Sequence, residues 1–399
     1  MLAVAAFAED WPEFRGPTGQ GASAETRVPL HWSPGKGIAW NTAIPGLGHS
    51  SPIVWGDRVF LTTATDGNKS CRILALDARS GKILWNTEVF TQDASHNRKQ
   101  NSYATSTPIT DGRRVYAVFA DGSFAAVDFN GKLVWTHRDV HYYSEHGLGA
   151  SPRLFEDLLI MPFSGSSTDP ANKRVGWQIP WDKSYVLALD KNTGRERWKT
   201  GRGLSRIGHG SPLIHTVDGQ PELLSPVGDV IQGFDPRTGK LKWTVPSRGE
   251  GVVPSVVTGE GLIFTSSGFE ATTLRTVRAG KAEVAWEQGK GVSHIPSFVY
   301  SKPWLFSITE AGVAVCMQAS TGEILWQERI GGIHWASPVL VNGLIYFTDE
   351  EGATVVIRAA DRFEVVARNS IGDGPVVASM AVSGGAIFIR THEKLYCVR

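Results

Sequence analysis

The sequence predicts an all-β protein: an eight-bladed β-propeller of four-stranded antiparallel blades, closed by an N-terminal strand that completes the C-terminal blade. Three observations predict it. Two alternating apolar runs, joined by an Asp-x-x-Thr-Gly turn or a variant and closed by Trp, recur along the chain. A second hairpin precedes each copy, so each unit holds four strands, A to D. The last unit stops after its third strand, and a matching fourth stands near the start of the chain.

Bulk composition agrees. A chain of 399 residues exceeds the usual single-core domain. Its 44 Gly and 14 Trp, with Val, Ile and Phe in short runs between Gly, Asp and Asn, are a β composition. The 40 basic and 39 acidic residues leave a formal charge of +1, which argues against nucleic acid or an anionic membrane as a partner. No stretch approaches the ~18 apolar residues of a spanning helix. Cys71, Cys316 and Cys397 are odd in number and form no C-x-x-C pair, so they read as small buried hydrophobes.

The elements follow in order. Residues 1–8 read as the remnant of a signal peptide ending Ala6-Phe7-Ala8, which implies a periplasmic or secreted protein. Residues 9–36 are an N-terminal extension, and 37–399 form one propeller domain. "GIAWNTAI" (37–44) matches "KILWNTEV" (82–89) and is the strand that completes the last blade. The units open at Ser51, Thr107, Ser151, Ser211, Pro254, Pro296, Ser337 and Ser379. The first A-B hairpin is "SPIVWGDRVFLT" (51–62). The first C-D hairpin is "ILALDARSGKILW" (73–85), repeated at 124–135, 186–198, 231–243 and 314–326, and more weakly at 276–286 and 355–366. In its turn Asp accepts amide hydrogen bonds and Gly supplies φ > 0. Trp40, Trp85, Trp135, Trp198, Trp243, Trp286 and Trp326 hold one place in seven units and read as wedges between blades. Val366 holds that place in the other, so its junction is expected to be the weakest. Ring closure removes the exposed sheet edge.

The Trp-ended repeat, its eight copies and the terminal closure resemble the PQQ-like, quinoprotein alcohol dehydrogenase-like propeller repeat family over nearly the whole chain. "DWPEFRGPTGQG" (10–21) resembles exported bacterial members of it. The resemblance implies one of two kinds of activity. PQQ-dependent dehydrogenases hold quinone and calcium in the central funnel, whereas BamB-like members are non-enzymatic. The adjacent-cysteine pair that the dehydrogenases place beside the quinone is absent from this sequence.

Strand order assigns each loop to a face. A-B and C-D turns share one face, where nearly all are tight; B-C turns and D-A connections share the other, which carries 91–106, 138–150, 164–184 and 201–209. Binding residues concentrate on such loops over a rigid scaffold. His49, His146, His209, His294 and His334 each stand just before the innermost strand on that face, and are expected as a partial ring at the channel mouth. Arg98, Tyr103, Trp177, Trp181 and Trp335 add cationic and aromatic surface, with 164–184 as a lid. The same face collects Asp66, Asp121, Asp229, Glu270, Glu310 and Glu350. His49, His209, His294 and His334 are therefore also weak metal candidates.

The expected function is that of a monomeric binding or scaffold module, taking a protein, peptide or glycan at the loop-rich face, with no cofactor and no assigned catalytic residue. The alternative is a PQQ- and calcium-dependent dehydrogenase, or a metal-assisted enzyme using the His and carboxylate ring.

Overall fold

The computed structural model describes residues 9–93, 101–140, 142–144, 146–165, 182–247, 249, 251–270 and 272–399. Residues 1–8, expected to be a signal-peptide remnant, and the site candidates Arg98, Trp177 and Trp181 fall outside these. Among the described residues there is no helix. Eight four-stranded antiparallel sheets form the blades of a propeller, and seven of them are contiguous in sequence. In the eighth, strands A to C are Ala381–Ser383, Ala386–Arg390 and Lys394–Val398. Its D strand is Ile38–Ala43, which pairs Trp40 with Cys397. The predicted closure is the observed one.

The inner A strands are short, as in Ile53–Trp55 and Val339–Val341. The middle B and C strands carry the core, since both of their faces pack against neighbouring blades; Leu158–Phe163, for example, is buried throughout. The three cysteines lie in C strands, buried and unbridged.

The tryptophans do wedge blade against blade. Six indole N–H groups donate to a carbonyl in the C-D turn of the following blade: Trp40 to Ala78, Trp85 to Phe129, Trp135 to Lys191, Trp198 to Pro236, Trp286 to Ala319 and Trp326 to Ala360, at 2.9–3.3 Å. The turn glycine lies under the ring. A Cβ on Gly239, whose φ is +71°, would fall 2.4 Å from Trp198, so this glycine is needed for close approach as well as for turn geometry. Trp243 departs from the pattern. Its indole lies over Gly233 of its own blade, and Val217 faces the next turn instead.

The register corrects the expected Val366: Ala367 holds the tryptophan place in this blade, pairing with Val356 as Trp326 pairs with Cys316. In the eighth blade no turn joins the C strand, Lys394–Val398, to the D strand, Ile38–Ala43. Trp32 of the N-terminal extension fills this junction, stacking on Tyr346 at 6.4 Å and donating its amide to Asn369 Oδ1 at 2.9 Å. The core cluster joining blades 7, 8 and 1 contains Trp32 and Trp11 and is the largest among the described residues.

The extension does more than cover a junction. Residues 9–25 cross the central channel at the tight-turn face and touch the inner strand of every blade. Glu9 O accepts from Ser383 Oγ (2.6 Å), and Trp11 exchanges both backbone hydrogen bonds with Val54 (2.9 and 2.8 Å). Pro12 O takes the Thr110 amide (3.0 Å), Glu13 pairs with Arg153 (2.5 Å), and Gly19 lies against Leu213. Gln20 Oε1 takes the Thr258 amide (2.7 Å), Arg15 donates to Phe298 O, and Ala22–Ser23 runs parallel to Leu340–Val341. Burial raises the Glu13 carboxyl to about 7 despite Arg153 beside it. The channel is thereby plugged at one end.

Candidate functional site

The residues that open the A strands form a closed ring of hydrogen bonds. Each backbone N–H donates to the hydroxyl of the corresponding residue one blade on: Ser51 to Thr107, then Ser151, Ser211, Ser255, Ser297, Ser337, Ser379 and back to Ser51, all at 2.9–3.2 Å. In the fifth and sixth units the ring members are Ser255 and Ser297, not the Pro254 and Pro296 expected to open them, because the Ser-Pro order is reversed there. Ser379→Ala should leave the buried Ser337 amide without an acceptor and destabilise the fold by ~1–3 kcal/mol in urea denaturation. Ser379→Thr should restore it, since Thr107 already serves in the ring.

Above the plug lies a cavity of about 420 Å³, open at the loop-rich face. Phe14 of the plug forms its floor, and seven ring residues, all but Ser211, line its wall. Asn101, Thr105, Ile207, Val253 and Ile295 continue the wall, and Phe269 and Trp335 border it at the loops. The channel is a blind cup. None of its described lining side chains is an acid, a lysine or an arginine.

The structure brings three of the five predicted histidines to this cup, His49, His146 and His209, together with Trp335. His209 is buried against His146, with ring centroids 6.1 Å apart, and burial pulls its pKa down to about 3. It is a neutral imidazole. His49 stacks on His392 at 4.7 Å, a partner from the B-C turn of the eighth blade. Burial and the nearby Arg390 hold His392 below its ordinary value.

His294 and His334 do not join the lining. The His294 Nδ1 lies 3.2 Å from Glu310 Oε2, its Nε2 contacts Thr272 Oγ1, and its ring stacks on Phe269 at 5.0 Å. Its hydrogen bond to the Glu310 carboxylate raises its pKa. His334 is buried between Thr348 O (3.2 Å) and Gly331 O (2.9 Å), with its pKa lowered by burial. Tyr103 packs on the core between blades 1 and 2, and its carbonyl takes the Gln92 side chain and the Ala120 amide. Among the described residues no three His, Cys, Asp or Glu side chains gather as a metal site, so His49, His209, His294 and His334 do not form the set that the metal reading needed.

The carboxylates of this face serve its loops. Asp121 caps its own turn through the Ser123 amide, Asp229 and Glu270 clasp Arg206, and Glu310 accepts the His294 and Ile295 amides. None of the six lines the cup. Sequence reasoning had no signal for Phe14, which approaches the ring from a segment read as an extension. The hydroxyl ring was legible as a repeated Ser or Thr but was read as strand punctuation.

The PQQ_2 family profile, described as outer membrane protein assembly factor BamB, matches residues 31–138, 67–183, 182–292 and 231–365. The BamB of Moranella endobia is 22% identical over 66% of this chain and 67% of its own length. The tetrathionate hydrolase of Acidithiobacillus ferrooxidans is 25% identical over 80% of this chain, which spans about half (53%) of that relative. Among solved structures, BamB from Moraxella catarrhalis superposes with a TM-score of 0.63 at 13% identity, covering 91% of this chain and 99% of that one. The quinohemoprotein alcohol dehydrogenase ADHIIG of Pseudomonas putida HK5 reaches 0.68 at 11% identity, covering 97% and 80%. These last two likenesses concern the fold alone. The profile matches together run from residue 31 to residue 365, and the chain belongs to the PQQ-like propeller repeat family described as outer membrane protein assembly factor BamB.

Proposed function

We propose that this chain is an exported, monomeric, non-enzymatic binding module that presents its loop-rich face to a partner and receives part of that partner in the cup. The observation that carries this reading is the blind cup: the N-terminal plug turns an open channel into a concave site with one mouth, on the face that holds the long loops. Kinship with proteins named as assembly factors of the outer membrane supports export and a scaffolding role.

The lining does not fit the dehydrogenase alternative. Calcium takes six to eight oxygen ligands, carboxylates prominent among them, and PQQ is a polycarboxylate that calls for cations. The described lining supplies neither. A photoreactive residue at Phe269 or Ile333 on the loop-rich face should crosslink a partner in the native host, whereas one at Leu241, on an outer strand, should not. Crosslinks from Leu241 alone, or dye reduction with an alcohol once PQQ and Ca²⁺ are added, would overturn the proposal.

One arrangement favours a second reading. Thr272, His294 and Glu310 are hydrogen-bonded in the order of a nucleophile, a base and an orienting carboxylate, beside the cup. Hydrolysis of p-nitrophenyl esters that Thr272→Ala abolishes would establish that reading in place of the first.

A further inference from the structure

We propose that the group received by the cup is an uncharged saccharide. This rests on the reading of the loop-rich face as a binding face and adds the chemistry of what it binds. The argument starts from the hydroxyl ring. Each ring oxygen already accepts a backbone N–H from the preceding blade, as the eight distances of 2.9–3.2 Å show. A hydroxyl has one hydrogen to give and two lone pairs. The ring bonds therefore leave each O–H as a donor, and seven of these hydroxyl residues line the cup.

Acceptors stand among them. Asn101 uses its Nδ2 to hold His146 O at 2.8 Å, which leaves its amide oxygen, and a neutral His209 offers one unprotonated ring nitrogen. The lining thus donates and accepts around its circumference, which suits a ligand that is both donor and acceptor at successive positions. Apolar surface is interleaved with these groups: Phe14 at the floor, Ile207, Val253 and Ile295 on the wall, Trp335 and Phe269 by the loops. Sugar rings carry both kinds of surface, hydroxyls at the edge and C–H groups on the faces.

Charge removes the competing classes. An anion would find no Lys or Arg in the described lining. The nearest guanidinium in sequence to the floor, Arg15, is buried and donates to Gln20 O and Phe298 O. A cation would find no carboxylate in the described lining. A wholly apolar ligand would strip water from seven hydroxyls without replacing its hydrogen bonds. The volume of about 420 Å³ is within the range of small-molecule sites and is of monosaccharide to disaccharide scale.

Isothermal titration of the full chain tests this, using glucose, galactose, mannose and their disaccharides, with glucuronate, inorganic phosphate and a blocked uncharged tripeptide as contrasts. The expected result is saturable binding of at least one neutral saccharide, weakened ~10-fold or more by Trp335→Ala, lost when Ala378 of the cup wall is enlarged in Ala378→Phe, and unchanged in Leu204→Ala, an exposed loop residue outside the cup. Titration by glucuronate or phosphate alone would overturn the proposal, as would saccharide binding that neither Trp335→Ala nor Ala378→Phe alters. Binding of the tripeptide alone would also overturn it while leaving the binding-face reading standing. Absence of binding by every probe would overturn the saccharide proposal, and the crosslinking experiment above would then decide the wider reading.

Discussion

Acidification should destabilise the protein through His209, and the loss should begin just below pH 6.5. The folded state holds this imidazole at about 3 because burial, reinforced by His146, disfavours its cation, whereas the unfolded chain titrates at the ordinary value of 6.5. The depressed group contributes stability that is fully present above pH 6.5. Below that value the unfolded chain binds a proton that the folded one refuses, and the contribution disappears as pH falls toward 3. A displacement of this size corresponds to roughly 4–5 kcal/mol at the acid end, a large part of the ~5–15 kcal/mol that holds a typical domain. The check is urea denaturation at a series of pH values for the parent and for His209→Gln, which keeps a polar side chain and removes the titration. The two stability curves should run parallel above pH 7 and diverge below 6.5, with the parent falling faster. Parallel curves throughout would show that the fold does not hold His209 neutral.

Trp11→Ala should be among the most damaging single substitutions, at ~3–5 kcal/mol. Trp11 is fully buried, belongs to the cluster that joins the first and last blades, and packs on Gly16, where a Cβ would fall 2.7 Å from its ring. It is also the point at which the plug pairs with Val54. Losing it should loosen Phe14 and open the cup from below, beyond what the cavity alone would do. Denaturation gives the size of the effect, and amide exchange at Val54 and Thr110 locates it. Trp11→Phe should recover part of the loss. A Trp11→Ala protein of unchanged stability, with those amides still protected, would mean that the plug is an ornament on a channel that closes without it.

The two substitutions bear on the same lesson about what was legible. The repeat was plain because each blade rebuilds the same local solution: Asp and Gly for the turn, alternation for the strands, and a Trp whose indole reaches the next turn. Trp198 over Gly239 illustrates why the pattern repeats, since the next copy of the motif supplies both the carbonyl and the space. Closure by 37–44 was legible for the same reason, as a strand of the right type missing at one end and present at the other. His294 and His334 show where legibility stopped. They stand before A strands as His49 and His209 do, but Glu310 holds one at the rim and two backbone carbonyls bury the other.

By itself the sequence determined the number of blades, their strand order, the closing strand and which loops share a face, because these follow from local patterns that recur with a fixed period. Only the tertiary structure decided that the channel is blind, that its wall is a ring of hydroxyls, and that three of the five histidines line it. These depend on segments hundreds of residues apart, such as Arg15 with Phe298 or Gln20 with Thr258. Contacts of that kind obey no sequence period. They arise when ring closure brings the eight inner strands around one axis, and residues 9–25 then bond to the polar groups exposed along it.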